Sequence, residues 1–177
     1  MISRNLIATV RKFPFATSLA VLLVALVVAP RVYAAEELAD RVVVNKSERK
    51  LLLLKQDRVL REFNIALGLE PDGPKMREGD FRTPEGNYYL TTRRLNSDYF
   101  LAIQVSYPNS ADIARARAAG VPAGSQIMIH GQPVTPKKSA SFYKKNDWTN
   151  GCIAVSNSAM VDIWQMTRPN TPITILP

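Results

Sequence analysis

The sequence predicts a mainly β domain with two short helices, and three observations carry that prediction. Short apolar runs are separated by clusters of Gly, Pro, Asn and Asp, the pattern of strands joined by turns. Only two later stretches carry helix start and stop signals. With one Cys in 177 residues there is no disulfide framework, so an ordinary apolar core must hold the chain. Gly numbers 8 and Pro 12 without a repeating period, which excludes collagen-like and low-complexity classes.

The N-terminus reads as an address rather than as part of that domain. Arg4, Arg11 and Lys12 form a positive region, and residues 16–29 are apolar except for Thr17 and Ser18. Val32-Tyr33-Ala34 then places small residues at the −3 and −1 positions of a cleavage site. The run is short against the roughly 20 apolar residues of a membrane span. Residues 1–34 are therefore expected to be a signal peptide or N-terminal anchor, and 35–177 an exported domain. Its loss would remove four cations and no acid, so the net charge would fall from +8 to +4. That mild charge, with no run of five like charges, does not support nucleic-acid binding. Membrane contact is expected only through the N-terminal segment.

Arg41–Val44 and Lys50–Lys55 predict a hairpin across the polar segment 45–49. Residues 59–67 predict a third strand, stopped by Gly68 and Pro71-Asp72-Gly73-Pro74. After a second turn cluster at 79–86, residues 87–92 and 99–105 predict two more strands. Ser110 is placed as the N-cap of a helix over 111–119, with Gly120 just past its end. Residues 126–129 predict a strand that delivers His130 to its end, and 131–147 has no apolar period and reads as a loop. Asn157 is placed as the cap of a helix over 158–167 that turns Met160, Val161, Ile163 and Trp164 to the core. Pro169 and Pro172 end it before a last strand over 173–176.

The chemistry converges on the only Cys and the only His. Cys152 follows Gly151, which allows a tight turn and close backbone approach, and polar Thr149-Asn150. His130 stands beside Gly131 at a strand end. A thiolate needs a nearby base or positive charge, and an acyl intermediate needs N–H donors aimed at its oxyanion. One Cys and one His cannot make an ordinary zinc site. Asp147 or a backbone carbonyl are the candidates to orient His130.

His130-Gly131, a loop, then Thr149-Asn150-Gly151-Cys152-Ile153 resembles the His…[Ser/Thr]-x-Gly-Cys signature of the YkuD-type L,D-transpeptidases. Gly79-Asp80, Thr83-Pro84-Glu85-Gly86 and Ser106-Tyr107-Pro108-Asn109 resemble further segments of that family, and the stretch 148–157 is most similar to its YafK-like branch. The resemblance covers residues 41–176 and implies a β-sandwich-like catalytic domain working in the periplasm on peptidoglycan stem peptides. It implies Cys152 as nucleophile, His130 as general base and acid, and the backbone amides of Gly151 and Cys152 as oxyanion donors. It implies no metal or organic cofactor. The acceptor would be an amine on another stem, an amine on an outer-membrane lipoprotein, or water. Asn150 and Ala154 stand where many members carry His and a polar or basic residue, so transfer and hydrolysis both remain open. Thr149, Asn150, Tyr107 and Trp148 are candidates for substrate contact. Lys137, Lys138, Lys144 and Lys145 read as a solvated loop face, with wall carboxylates as the functional alternative.

Rival classes leave different marks. A sortase-like enzyme wants a downstream Arg near its thiolate, and here only Arg168 follows, before Pro169. Papain-like peptidases usually place Cys before His, the reverse of this order. A non-enzymatic wall-binding module would tolerate loss of the thiol.

Overall fold

The computed structural model describes residues 37–177, which lie within a compact unit spanning 35–177. The expected signal peptide or anchor lies outside the described residues. Eight strands and three helices make up the described chain. The strands are β1 (Arg41–Asn45), β2 (Lys50–Lys55), β3 (Arg58–Asn64), β4 (Gly86–Ser97), β5 (Phe100–Val105), β6 (Met128–His130), β7 (Ile153–Ala154) and β8 (Pro172–Leu176). The helices are α1 (Ser110–Ala118), α2 (Ala140–Lys145) and α3 (Asn157–Met166).

The sheet order is β3-β2-β1-β8-β4-β5-β6-β7. β1 pairs antiparallel with β2 and parallel with β8, so the closing strand is inserted beside the first. The long β4 joins two halves: residues 86–89 pair with β8, and the stretch from Leu90 to Ser97 pairs with β5. Both halves turn alternate residues into one core, Val42, Val44, Leu51 and Ile175 from one and Leu90, Ile103, Ile129 and Ile153 from the other. Ala159, Met160, Ile163 and Met166 of α3 fill the same core, at the three- and four-residue spacing that puts them on one helix face. Val161 and Trp164, also expected there, are half-buried.

Several boundaries differ from the sequence expectation, each for a visible reason. The predicted loop 131–147 contains α2, a third helix, whose single buried side chain, Tyr143, gives no apolar period to read. The N-cap of α1 is Asn109, not Ser110. Asn109 Oδ1 accepts from Asp112 N, and Asp112 Oδ2 accepts from Asn109 N, both at 3.0 Å. The cap of α3 is Ser156, whose Oγ accepts from Ala159 N at 3.1 Å. The third strand ends at Asn64, because the chain then leaves β2 and pairs with β7. Ala66 and Ala154 exchange both backbone hydrogen bonds at 2.8 Å.

Candidate active site

β6 and β7 are adjacent parallel strands in the register Ile129↔Ile153 and His130↔Ala154. Ile129 and Ile153 point into the core and are fully buried. By the alternation of a strand, His130 and Ala154 share the opposite face, and Cys152, one residue before β7, falls on that same face. The only His and the only Cys are therefore diagonal neighbours across one strand pair.

The loop that presents Cys152 is tightly clamped. Thr149 Oγ1 accepts from Gly151 N at 3.1 Å and donates to Cys152 O at 2.7 Å. Gly151 has φ +125°, and a Cβ there would lie 2.6 Å from Arg82 O. The strand-like segment 65–69 braces the loop from outside: Leu67 O accepts from Trp148 N and Thr149 N, and Leu69 N donates to Thr149 O at 3.0 Å. Asp147 ties the two together, accepting from Leu67 N at 2.7 Å and from Arg49 at 2.8 and 3.0 Å. Asp147 is thus committed to Arg49 and Leu67 and does not orient the imidazole.

The orienting group is a carbonyl. His130 Nδ1 lies 2.7 Å from Gly131 O, which accepts its proton and leaves Nε2 as the lone-pair nitrogen. The ring is 4.5 Å from the Tyr99 ring and 5.6 Å from the indole of Trp148. His130 is only 4% exposed. Burial lowers its pKa to about 4, against a smaller upward pull from the Gly131 hydrogen bond. A neutral imidazole is the resting state across the physiological range.

The Cys152 side is also neutral at rest. Its Sγ lies 3.6 Å from Gln126 O, close enough for the thiol to donate. Burial pushes the thiol pKa up, and a backbone hydrogen bond with Met128 and the positive charge of Lys75 pull it back in part. Lys75, not singled out by the sequence reading, is itself buried and paired with Asp80 at 2.6 Å. Burial pushes Asp80 up, but hydrogen bonds from Lys75 and from the amides of Arg77, Met76 and Arg82 outweigh it and hold the carboxyl below its ordinary value. Asp80 thus stays anionic and anchors Lys75. The signal was present as Asp80 in the turn cluster, but no local pattern links Lys75 to a Cys 77 positions later.

The expected substrate residues separate into two groups. Trp148 is half-buried beside His130, and Asn150 is exposed on the Cys loop. Thr149 and Tyr107, by contrast, are each 4% exposed and spend their hydroxyls internally, Tyr107 on Ala123 O at 2.8 Å. In this structure both act as buried supports, with their hydroxyls bonded inside the protein. Burial raises the Tyr107 phenol to about 12, so it stays protonated. The Gly151 amide, expected as an oxyanion donor, is bonded to Thr149 Oγ1 in this structure. Tyr99, which the sequence placed only in a strand, is the residue added to the site.

A thiol and a neutral imidazole on one strand face, behind an aromatic wall, can perform nucleophilic acyl transfer. The family model of the YkuD L,D-transpeptidase catalytic domain matches residues 39–175. The chain belongs to that family. It is 31% identical over 145 residues to "Putative L,D-transpeptidase YafK" of Escherichia coli K12, covering 75% of this chain and 51% of that protein. The chain thus spans about half the length of the curated relatives it matches. Among solved structures, the helical cell shape determining protein Pgp2 of Campylobacter jejuni superposes with a TM-score of 0.58 at 26% identity, over 76% of this chain and 46% of that one. LdtMt1, solved in complex with imipenem, shares the fold at 18% identity and a TM-score of 0.50, over 76% of this chain and 57% of that one.

Proposed function

We propose that the chain is a periplasmic cysteine L,D-transpeptidase that acts on peptidoglycan stem peptides through a thioester on Cys152. The observation that carries this reading is the placement of the only Cys and only His on one face of β6 and β7, within the family match. The periplasmic location rests on the export signal read in residues 1–34.

The resting pair is a neutral thiol and a neutral imidazole, so proton transfer belongs to the substrate-bound state. His130 Nε2 takes the Sγ proton as sulfur attacks the carbonyl carbon of the third stem residue. The Cys152 amide is the oxyanion donor, since the Gly151 amide already serves Thr149. The C–N bond to the terminal D-Ala then breaks, and the imidazolium returns the proton to the departing amine. In the second half, His130 accepts a proton from an incoming amine as its nitrogen bonds to the thioester carbon; the C–S bond breaks, the imidazolium returns the proton to the Cys152 sulfur, and a new amide is left. That amine belongs to another stem peptide or to an outer-membrane lipoprotein.

The test is mass spectrometry of tetrapeptide muropeptides incubated with the protein, with and without a lipoprotein peptide, beside a Cys152→Ala control. Cross-linked dimers or lipoprotein-linked stems that need Cys152 are the expected result. Free tripeptide without cross-links, or lipoprotein peptide freed from the wall, would replace transfer by hydrolysis on the same thiol. Product unchanged by Cys152→Ala would overturn the enzyme reading and leave a wall-binding module.

A further inference from the structure

Two buried lysines hold the long segment between β3 and β4, and their hydrogen bonds differ. Lys46 Nζ donates to Gly73 O at 2.7 Å, Thr83 O at 3.2 Å and Glu85 Oε1 at 2.7 Å, so all three of its N–H groups are engaged. Lys75 Nζ donates to Asp80 Oδ1 at 2.6 Å and to Arg77 O at 3.0 Å, and its third N–H has no partner among the described residues. That side chain is only 4% exposed. Enclosing a cation costs free energy even when it is paired, and a neutral hydrogen-bonded side chain could close the same loop.

The ring of residues 75–82 grips both flanks of Cys152. Asp80 closes it, accepting from Met76 N at 2.7 Å, Arg77 N at 3.0 Å and Arg82 N at 3.1 Å as well as from Lys75. On one flank Arg82 O lies against the residue before the nucleophile, where a Cβ on Gly151 would meet it at 2.6 Å. On the other, Glu78 N donates to Pro122 O at 2.9 Å, and a Cβ on Gly124 would come 3.2 Å from Glu78 Cα. Two residues further on, Gln126 O is the carbonyl 3.6 Å from Cys152 Sγ. Lys75 is the buried cation of that ring, and its charge favours the ionised sulfur. Asp80 is the acid that opposes it. Of the other groups, His130 is neutral at rest, Asp147 on the Cys loop is paired with Arg49, and Arg82 is half-buried. Arg77 and Glu78 are exposed and opposite in sign, and neither the stretch 122–128 nor β7 carries a charged residue.

We propose that Lys75 is a positioning residue for the thiol chemistry: locked in place by Asp80, it sets a fixed positive charge beside Cys152 that stabilises the sulfur anion formed as His130 takes the proton. This rests on the thioester reading above and names how the anion in it is held. It also gives Asp80 an effect of opposite sign, since the carboxylate that fixes Lys75 weakens the field of Lys75 at the sulfur. A loop staple has no such sign, because removing either partner would loosen the same ring.

The test is the rate at which iodoacetamide alkylates the full chain, followed by intact mass, since Cys152 is its only thiol. At about pH 8, Lys75→Met is expected to react about tenfold more slowly than wild type, and Asp80→Asn faster than wild type. The effect lies in the fraction of thiolate, so both gaps should close at high pH, where every thiol is ionised. Where either single variant fails to fold by circular dichroism, Lys75→Met combined with Asp80→Asn replaces it. That uncharged pair of similar shape is expected to react more slowly than wild type. Rate changes of the same sign in the two single variants, an unchanged rate in Lys75→Met, a double variant as fast as wild type, or gaps that persist at high pH would overturn the role of Lys75. Turnover of a tetrapeptide muropeptide by the wild-type chain is measured in parallel. Turnover with changes of the same sign sinks the role of Lys75 alone, whereas opposite changes without turnover sink the acyl transfer and keep the effect of Lys75 on the thiol.

Discussion

Acid should destabilise this protein through His130. In the folded chain the imidazole is 4% exposed, and burial holds its pKa at about 4. In the unfolded chain it returns to about 6.5. Because the folded value is the lower one, the unfolded state binds the extra proton first. Stability is therefore complete above about pH 6.5 and is lost as pH falls toward 4. One pKa unit is about 1.4 kcal/mol, so about 2 kcal/mol is gone by pH 5 and about 3 kcal/mol by pH 4. The assay is urea unfolding at half-unit steps from pH 7.5 to 4, on wild-type protein and on His130→Asn. The difference between the two curves isolates this imidazole from the carboxylates, and it should change by about 3 kcal/mol over that window. A constant difference would mean that His130 is not held neutral, and would remove the basis for treating it as a base at rest.

Other consequences follow from the loop that carries Cys152. Thr149→Val removes both hydrogen bonds of the clamp and should cost about 1–3 kcal/mol in denaturant unfolding, with a fall in turnover that Thr149→Ser restores. Gly151→Ala sets a Cβ 2.6 Å from Arg82 O at φ +125°, and should lower stability by more than about 1 kcal/mol while displacing the thiol, read as slower alkylation of Cys152. Asp147→Asn breaks the link to Arg49 and should cost about 1–2 kcal/mol, yet leave the acid limb of the pH–rate profile in place, because Gly131 O and not Asp147 holds the imidazole.

The strands were legible because their apolar runs are bounded by turn residues, as at Gly68 and Pro71–Pro74. The reacting pair was legible because each residue type occurs once. What escaped was decided by contacts distant in sequence. α2 is a short helix whose only buried side chain is Tyr143, so nothing local distinguishes it from a loop. β7 is two residues long and is defined by its parallel pairing with β6, more than 20 positions earlier, and braced by the bridge from Ala66 to Ala154. The hydroxyls of Thr149 and Tyr107 looked available, and only their burial shows them spent on Cys152 O, the Gly151 amide and Ala123 O. Tyr99 looked like a strand residue, and its role against His130 depends on the turn that ends β4.

The central claim, that Cys152 carries the acyl group, is tested most directly by intact mass of the full chain quenched in acid during turnover of a tetrapeptide muropeptide. The account predicts a covalent species heavier by the muropeptide less its terminal D-Ala, mapped by peptide fragmentation to Cys152 and absent from Cys152→Ala. An acyl group mapped to any other residue, or product released with no covalent species trapped at any time, would contradict it.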